Sequence, residues 1–320
     1  MRVSVVVPTW NRPDLLDRCL EALIVQEFDA REYEIIVADD AGSEATRRRV
    51  ADWSARSDVA IRYATPMAAH GPAAARNAGW RAARGRIIAF TDDDCVPDPR
   101  WLAEGVVAIE AGADAVSGRV IVPLPERPTD YERDAAGLQR AEFVTANCLV
   151  RLDALEAVGG FDERYAAAWR EDSDLQFSLL ERGCRIVRAP RAVVVHPIRP
   201  ARWGICLSQQ RKSQFNALLY KKFPERYRRG IQIGPPWGYY ATVGAIAAAG
   251  GSMVLGRPFV ALGAAAAWAA LTARFCARRL RGTSTAPAHL VEMAVTSVLI
   301  PPLSVFWRLR GALRFRVLFL

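Results

Sequence analysis

Three adjacent carboxylates, Asp92, Asp93 and Asp94, stand in "AFTDDDCVPDP" (Ala89 to Pro99) directly after an apolar run. Carboxylates packed this closely repel and raise one another's pKa. A hard divalent cation, Mn²⁺ or Mg²⁺, makes the cluster favourable, and such an ion held by one or two carboxylates keeps positions open for substrate phosphates. The Asp92-x-Asp94 spacing suits this role, because side chains two apart in an extended segment point the same way. A solvated acidic turn is the bland alternative. Against it stand the apolar strand before the triplet, Pro97 and Pro99 after it, and a second acid pair, Asp39-Asp40, at another strand end. Further along, Glu171, Asp172 and Asp174 in "REDSDL" either favour a helix N-terminus through the macrodipole or supply a base, and both uses can coexist.

The elements that must hold these acids follow from periodicity. Val3 to Val7 is a β-branched run ended by Pro8, as in a strand buried on both faces of a parallel sheet. A helix is predicted from Asp14 to about Val25, a strand in "YEIIVADD", a helix in "EATRRRVADWSAR" and a short extended piece in "AIRYATP". Another helix follows in "GPAAARNAGWRAARG", then a strand in "RIIAF". This alternation predicts an α/β sheet with flanking helices, whose ligands sit beyond the C-terminal strand ends. "VPLPERPTDYERDAAG" reads as a mobile loop, Asp172 to Arg182 as a helix, and Val193 to Val195 as a short extended stretch ending at His196.

The 320 residues carry a net charge of +9, with 43 Lys and Arg against 34 Asp and Glu. That balance suits nucleic acid, anionic lipid or phosphorylated substrates. No basic motif interleaved with aromatics occurs in the α/β part, so nucleic acid is not an expected partner. Six cysteines without a CxxC pair read as reduced cytosolic thiols rather than a zinc site or a disulfide framework. The N-terminus lacks the apolar length of a signal peptide, which leaves whatever precedes a membrane segment in the cytoplasm.

From Trp237 to Leu255 there is no charge, and from Phe259 to Cys276 only Arg274 interrupts. Each stretch is close to the roughly 20 residues that cross a bilayer core. Arg226, Arg228 and Arg229 precede the pair and Arg278, Arg279 and Arg281 follow it, as expected of a hairpin (about 237–276) with both ends in the cytoplasm. Two helices buried in a soluble core are the alternative. A third apolar stretch, about 290–307, is broken by Pro301-Pro302 and followed by arginines, which predicts a re-entrant or interfacial segment.

Five segments in order carry a resemblance: "VSVVVPTWNRPDLLDRCLEAL", "YEIIVADDAGS", "GPAAARNAGWRAARGRIIAFTDDDCVPDP", "ANCLVRLDALEAVGGFDE" and "EDSDLQFSLLERG". Together they resemble the family 2 inverting glycosyltransferases of the GT-A fold over roughly residues 1 to 200. The resemblance implies a GT-A catalytic domain over 1–230, followed by C-terminal membrane-associated helices over 236–320. It implies Asp92 and Asp94 as metal-binding acids at the diphosphate of a nucleotide sugar, with Asp93 near the ribose or donor sugar. Pro8, Thr9, Asp40 and Arg76 match nucleotide-contacting positions, with Asp39 sharing the role of Asp40. Asp172 matches the catalytic base, with Glu171 as second choice for an active-site role. His196 is either an additional metal ligand, as in some members, or structural. Asn147 and the "GGFDE" turn (Gly159 to Glu163) match the acceptor side, and Trp169 stands either against a sugar face or in the core. Ala41 departs mildly from the pattern, and no QxxRW motif of processive synthases is visible.

The function so implied is inverting, metal-dependent transfer of one sugar to a hydroxyl of a lipid-linked or cell-envelope glycan. It would take place at the inner membrane, with membrane lipids as partners and the catalytic domain facing the cytoplasm. A metal-dependent nucleotidyltransferase and an inactive membrane scaffold are the rival readings.

Overall fold

The computed structural model describes residues 1–319. In chain order the elements are β1 (Val3–Thr9), α1 (Pro13–Ile24), β2 (Tyr33–Asp39), α2 (Glu44–Arg56), β3 (Ala60–Ala64), α3 (Pro72–Arg81), β4 (Ile87–Phe90), β5 (Val96–Pro97), α4 (Trp101–Glu110), β6 (Ala115–Ile121) and α5 (Asp130–Ala135). They continue with β7 (Cys148–Arg151), α6 (Leu152–Val158), α7 (Glu171–Glu181), β8 (Ile186–Val195), α8 (Ile205–Gln209), α9 (Phe215–Lys222), α10 (Pro224–Gly230), α11 (Trp237–Val254), α12 (Pro258–Leu280) and α13 (Pro287–Phe315). The chain divides into two compact units: Met1–Pro123 with Ala136–Ile198, and Leu124–Ala135 with Arg199–Leu320.

The first unit holds one sheet of order β3-β2-β1-β4-β7-β6-β8-β5. Strands β1 to β4 are mutually parallel where they pair, β7 runs antiparallel to β4 and β6, and β8 is parallel to β6. Alternation along β1 splits its side chains between two cores. Val3, Val5 and Val7 pack with Leu16, Cys19, Leu20 and Leu23 of α1, while Val6 joins Ala73, Ala75 and Trp80 of α3 on the opposite face. With helices on both faces, the apolar strand runs are buried throughout, which is why they read so plainly. Loops bearing acids therefore emerge at one edge, where β1, β2 and β4 end together.

Three local expectations need correction. Strand β8 runs from Ile186 rather than Val193; Arg188, Pro190 and Arg191 hid it, because its outer face is charged and the ladder bulges. Gly118 pairs with Ala189 and Arg119 with Val193, so residues 190–192 loop out. The Pro-rich stretch expected to be a mobile loop contains α5, which belongs to the second unit.

In that second unit Pro301 and Pro302 do not break the third apolar stretch; α13 continues through them for 29 residues. Two prolines remove two backbone donors. A stripe at three- and four-residue spacing, His289, Met293, Ser297, Pro301, Val305, Arg308, Gly311 and Phe315, is buried along the helix and offsets that loss. A Cβ at Gly311 would lie 2.4 Å from the Gln214 carbonyl oxygen.

Among the described residues α12 and α13 are long and apolar enough to cross a membrane, with mean hydropathy 1.5 and 1.6. The first arm of the expected hairpin, α11, is not one of them, because its Gly, Trp, Tyr, Ser and Thr residues lower the mean hydropathy. Burial in a soluble core does not describe α12, only 6% of whose apolar window is buried. Helix α5 is tied to these helices by Asp130, whose carboxylate receives Arg279 Nε and Nη2 at 3.0 and 2.8 Å, while Arg133 donates to the Arg279 and Arg281 carbonyls.

Candidate active site

The ends of β1, β2 and β4 deliver Thr9, Asp39 and the acid triplet to one edge of the sheet. The three acids have different surroundings. Asp93 is buried and accepts from Thr9 Oγ1 at 2.7 Å and Arg12 Nη1 at 3.1 Å. Burial pushes its carboxyl up to about 6 despite both donors. Asp92 accepts from Arg76 Nη2 at 2.7 Å. Asp94 is buried, with His196 Nε2 3.5 Å from its Oδ1.

His196 reaches Asp94 because β5 pairs antiparallel with β8, Val96 opposite Val195. Cys95 directly precedes Val96, and His196 directly follows Val195. A carboxylate oxygen of Asp94, the Cys95 sulfur and a His196 nitrogen all lie within 4.8 Å of one another. Asp92, expected to share the ion with Asp94, is not in this group; Arg76 engages it instead. Burial first, and then the acid charges, push the thiols of Cys19 and Cys95 well up.

Arg76 on α3 is buried, and its two ends are both used. While Nη2 meets Asp92, Nη1 donates to Glu171 Oε1 at 3.2 Å, and the guanidinium lies 5.7 Å from the Phe161 ring centroid. Burial works against its charge, but Asp92 and Glu171 raise its pKa overall. Arg76, expected near the nucleotide, thus joins the acid loop to the start of α7. Arg76 Nε and Glu171 Oε2 are buried without a hydrogen-bond partner among the described residues.

Helix α7 begins after Arg170, held in the left-handed region at φ 77°. That turn places Glu171 and Asp172 at the helix N-terminus, where the dipole favours their charge. Burial raises Asp172 nonetheless, against the Ser173 amide, which donates to Oδ1 at 2.6 Å. Glu171 is raised by burial and then by Asp172, with Arg76 opposing. Asp174 has a different use, accepting from the Tyr165 hydroxyl at 3.1 Å.

Other residues expected at the site are held by neighbouring parts of the fold. Asp39 is buried and accepts from the amides of Ala41 and Ser43 and from the Tyr63 hydroxyl. Asp40 accepts from the Gly71 amide at 2.8 Å. Pro8 is buried within β1. Asn147, expected on the acceptor side, is fully buried: it accepts from Trp101 Nε1 and donates to the carbonyls of Arg119 and Ala192, pinning the β8 bulge. Gly118 makes room, since a Cβ there would lie 2.2 Å from Asn147 Oδ1. Trp169 is 38% exposed with the Arg170 guanidinium over its ring, so it is not core.

Two residues were missed. Trp10 is 57% exposed directly after the end of β1 at Thr9; an aromatic in a polar turn after a strand was its signal. Asn77 accepts from the Phe161 amide and Trp80 Nε1 and donates to the Phe161 carbonyl and Glu163, fixing the "GGFDE" turn to α3. Gly160, at φ 74°, permits that approach.

A model described as glycosyl transferase family group 2 matches residues 87–308, and one described as glycosyl transferase family 2 matches residues 4–161. Glycosyltransferase AglE of Haloferax volcanii is 30% identical over 220 residues, covering 65% of this chain and 70% of that protein. The chain belongs to glycosyl transferase family 2. This glycosyltransferase shares its GT-A fold with mannosyltransferase PcManGT of Pyrobaculum calidifontis, solved with GDP-Man and Mn²⁺. The TM-score is 0.56 at 23% identity, over 98% of this chain and 87% of that one. An Escherichia coli relative, UDP-Glc:alpha-D-GlcNAc-diphosphoundecaprenol beta-1,3-glucosyltransferase WfgD, is 33% identical over 101 residues, 32% of this chain and 36% of its own. Family membership weighs sugar transfer above the rival nucleotidyl transfer.

The donor chemistry at the acid loop fits a divalent ion: one carboxylate oxygen and one imidazole nitrogen already face each other at the end of a buried strand.

Proposed function

We propose that this family 2 glycosyltransferase takes a nucleotide diphosphate sugar as donor. It transfers the sugar, with inversion, to a hydroxyl of a lipid-linked or cell-envelope glycan. The observation carrying the reading is the Arg76 clamp, which joins the acid loop at Asp92 to the start of α7 at Glu171. One guanidinium thus holds the acid loop to the helix turn that carries Asp172 next to Glu171.

Asp172 is the base. Raised by burial, its carboxylate takes the acceptor hydroxyl proton as the oxygen bonds to the sugar C1 and the bond from C1 to the diphosphate breaks on the opposite face. Mn²⁺ or Mg²⁺ would be held by Asp94 and His196 and, when bound, would neutralise charge on the diphosphate. Asp93, fixed by Thr9 and Arg12, shapes the ribose side, Asp40 and Trp10 stand toward the base, and Trp169 offers its face to the acceptor sugar.

The C-terminal helices support attachment to the inner membrane with the catalytic unit on the cytoplasmic side. Phe259 and Val254 are 89% and 88% exposed, and Arg226, Arg228, Arg229, Arg278 and Arg281 flank the apolar pair. Membrane lipids would then lie beside a lipid-linked acceptor.

The test is release of nucleoside diphosphate from a panel of nucleotide sugars, with and without membrane lipid extract. Asp172→Asn is expected to lower turnover by about 10²–10⁴-fold with donor affinity kept. Unchanged turnover would remove Asp172 as the base, and no donor consumed under any condition would remove sugar transfer and restore the scaffold reading.

A further inference from the structure

The acid loop carries a sulfur ligand that the oxygen-donor reading does not use. Of its three acids, Asp92 is engaged by Arg76 and Asp93 by Thr9 and Arg12, so Asp94 is the one facing His196. Cys95, next to the Val96–Val195 pair of the β5–β8 ladder, completes a group of oxygen, sulfur and nitrogen atoms within 4.8 Å of one another. We infer that Cys95 is a coordinating ligand beside Asp94 and His196, so that this centre takes a thiophilic divalent ion, Zn²⁺ or Co²⁺, with a preference over Mg²⁺ that the carboxylate and imidazole alone would not give.

Geometry and chemistry agree. Tetrahedral zinc with metal–ligand distances of about 2.0–2.3 Å places its ligand atoms about 3.5 Å apart. The Asp94–His196 pair already stands at 3.5 Å, and the sulfur needs to close by no more than about 1.3 Å from the 4.8 Å limit. Three protein ligands leave a fourth position for a substrate oxygen. The side chains of Asp94 and His196 are 4% and 15% exposed, and Cys95 is fully buried, so water competes poorly for the same positions. Thiolate selects zinc-like ions, whereas carboxylate and water suit Mg²⁺ and Mn²⁺. On binding, the metal–sulfur bond forms and the thiol proton leaves to solvent. The inference rests on the proposed cation site for its location, but not on turnover.

The experiment titrates the full-length protein with Co²⁺ and with Zn²⁺ and Mn²⁺ against a chromophoric chelator. A sulfur-to-cobalt charge-transfer band in the near ultraviolet is expected, lost in Cys95→Ser and in His196→Gln and retained in Cys19→Ser. Outer-shell partners alone are worth about 10–100-fold in metal affinity, so Cys95→Ser is expected to weaken Zn²⁺ by at least that and to leave Mn²⁺ within a few-fold. Zn²⁺ affinity and band unchanged in Cys95→Ser would overturn the inference. So would a wild-type protein that binds Co²⁺ without the band, a result that needs no variant to fold and leaves the oxygen-and-nitrogen cation site standing. Binding of no ion at all would sink both.

Discussion

Replacing Arg76 by Met keeps the length of the side chain and removes the charge that joins Asp92 to Glu171. Asp92 is 27% exposed and can turn to water, so its loss is small. Glu171 is 5% exposed at the side chain and would keep a buried charge without its cation. Breaking a buried pair from one side costs about 3–5 kcal/mol. At about 2–4 °C per kcal/mol for a unit of this size class, the melting temperature should fall by about 6–20 °C. The deficit should depend on pH in a fixed direction. Glu171 is already raised above its ordinary 4.5 by burial and Asp172, with Arg76 holding it down, so the variant raises it further. A carboxyl whose folded pKa lies above the unfolded one gives full stability below the unfolded value, and that stability declines as pH rises through the folded value. The Arg76→Met deficit is therefore smallest near pH ~5 and grows toward pH ~8. Adding Glu171→Gln removes the stranded charge and should recover part of the loss at the higher pH. Thermal and denaturant melts of the full chain at both pH values measure this. A deficit equal at the two, or a double variant no more stable than the single, would refute the clamp.

Glu34, inside β2, is buried and accepts from Ser4 Oγ, the Arg84 amide and Arg62 Nη1 at 2.7, 2.8 and 3.0 Å. Burial alone would raise it, but these donors more than offset that and hold its pKa below 4.5. Its contribution is thus present above the unfolded value and lost as pH falls through the folded one. Glu34→Gln should cost about 1–3 kcal/mol at neutral pH in urea melts, with the gap to wild type closing in acid. Ala266→Asp with Ala269→Asp places two charges on the exposed face of α12 near its middle. At about 2.5–3.5 kcal/mol per charge at the centre of a bilayer, co-flotation with anionic vesicles should be abolished. Unchanged flotation would argue that α12 does not enter lipid.

Strands β1, β2 and β4 were legible because burial on both sheet faces leaves an uninterrupted apolar run. The acids after them were legible because like charges side by side require an explanation. Glu34 was not, since a charged residue inside such a run gives no hint that Ser4 and Arg62 answer it from neighbouring strands. Asn147 matched a family position facing the acceptor, yet its amide serves a bulge whose partners lie 28 and 45 residues away. Arg76 matched a family position at the nucleotide. Only the tertiary fold shows that α3 carries it under the acid loop. Pro301-Pro302 misled for the opposite reason, as local propensity predicted a break that packing along the whole of α13 overrides.

The polypeptide leaves the sheet unit after Pro123, contributes twelve residues to the helical unit, and returns at Ala136 before departing again after Ile198. Trimming the protein at 198 to obtain a soluble catalytic fragment would consequently abandon α5, stripping Asp130 of Arg279 and His289 and Arg133 of the carbonyls it meets. A fragment so made would carry a charged stub that has lost its dock. Excising 124–135 together with the C-terminal region, and bridging Pro123 to Ala136 by a short flexible linker, is the cut that respects both units.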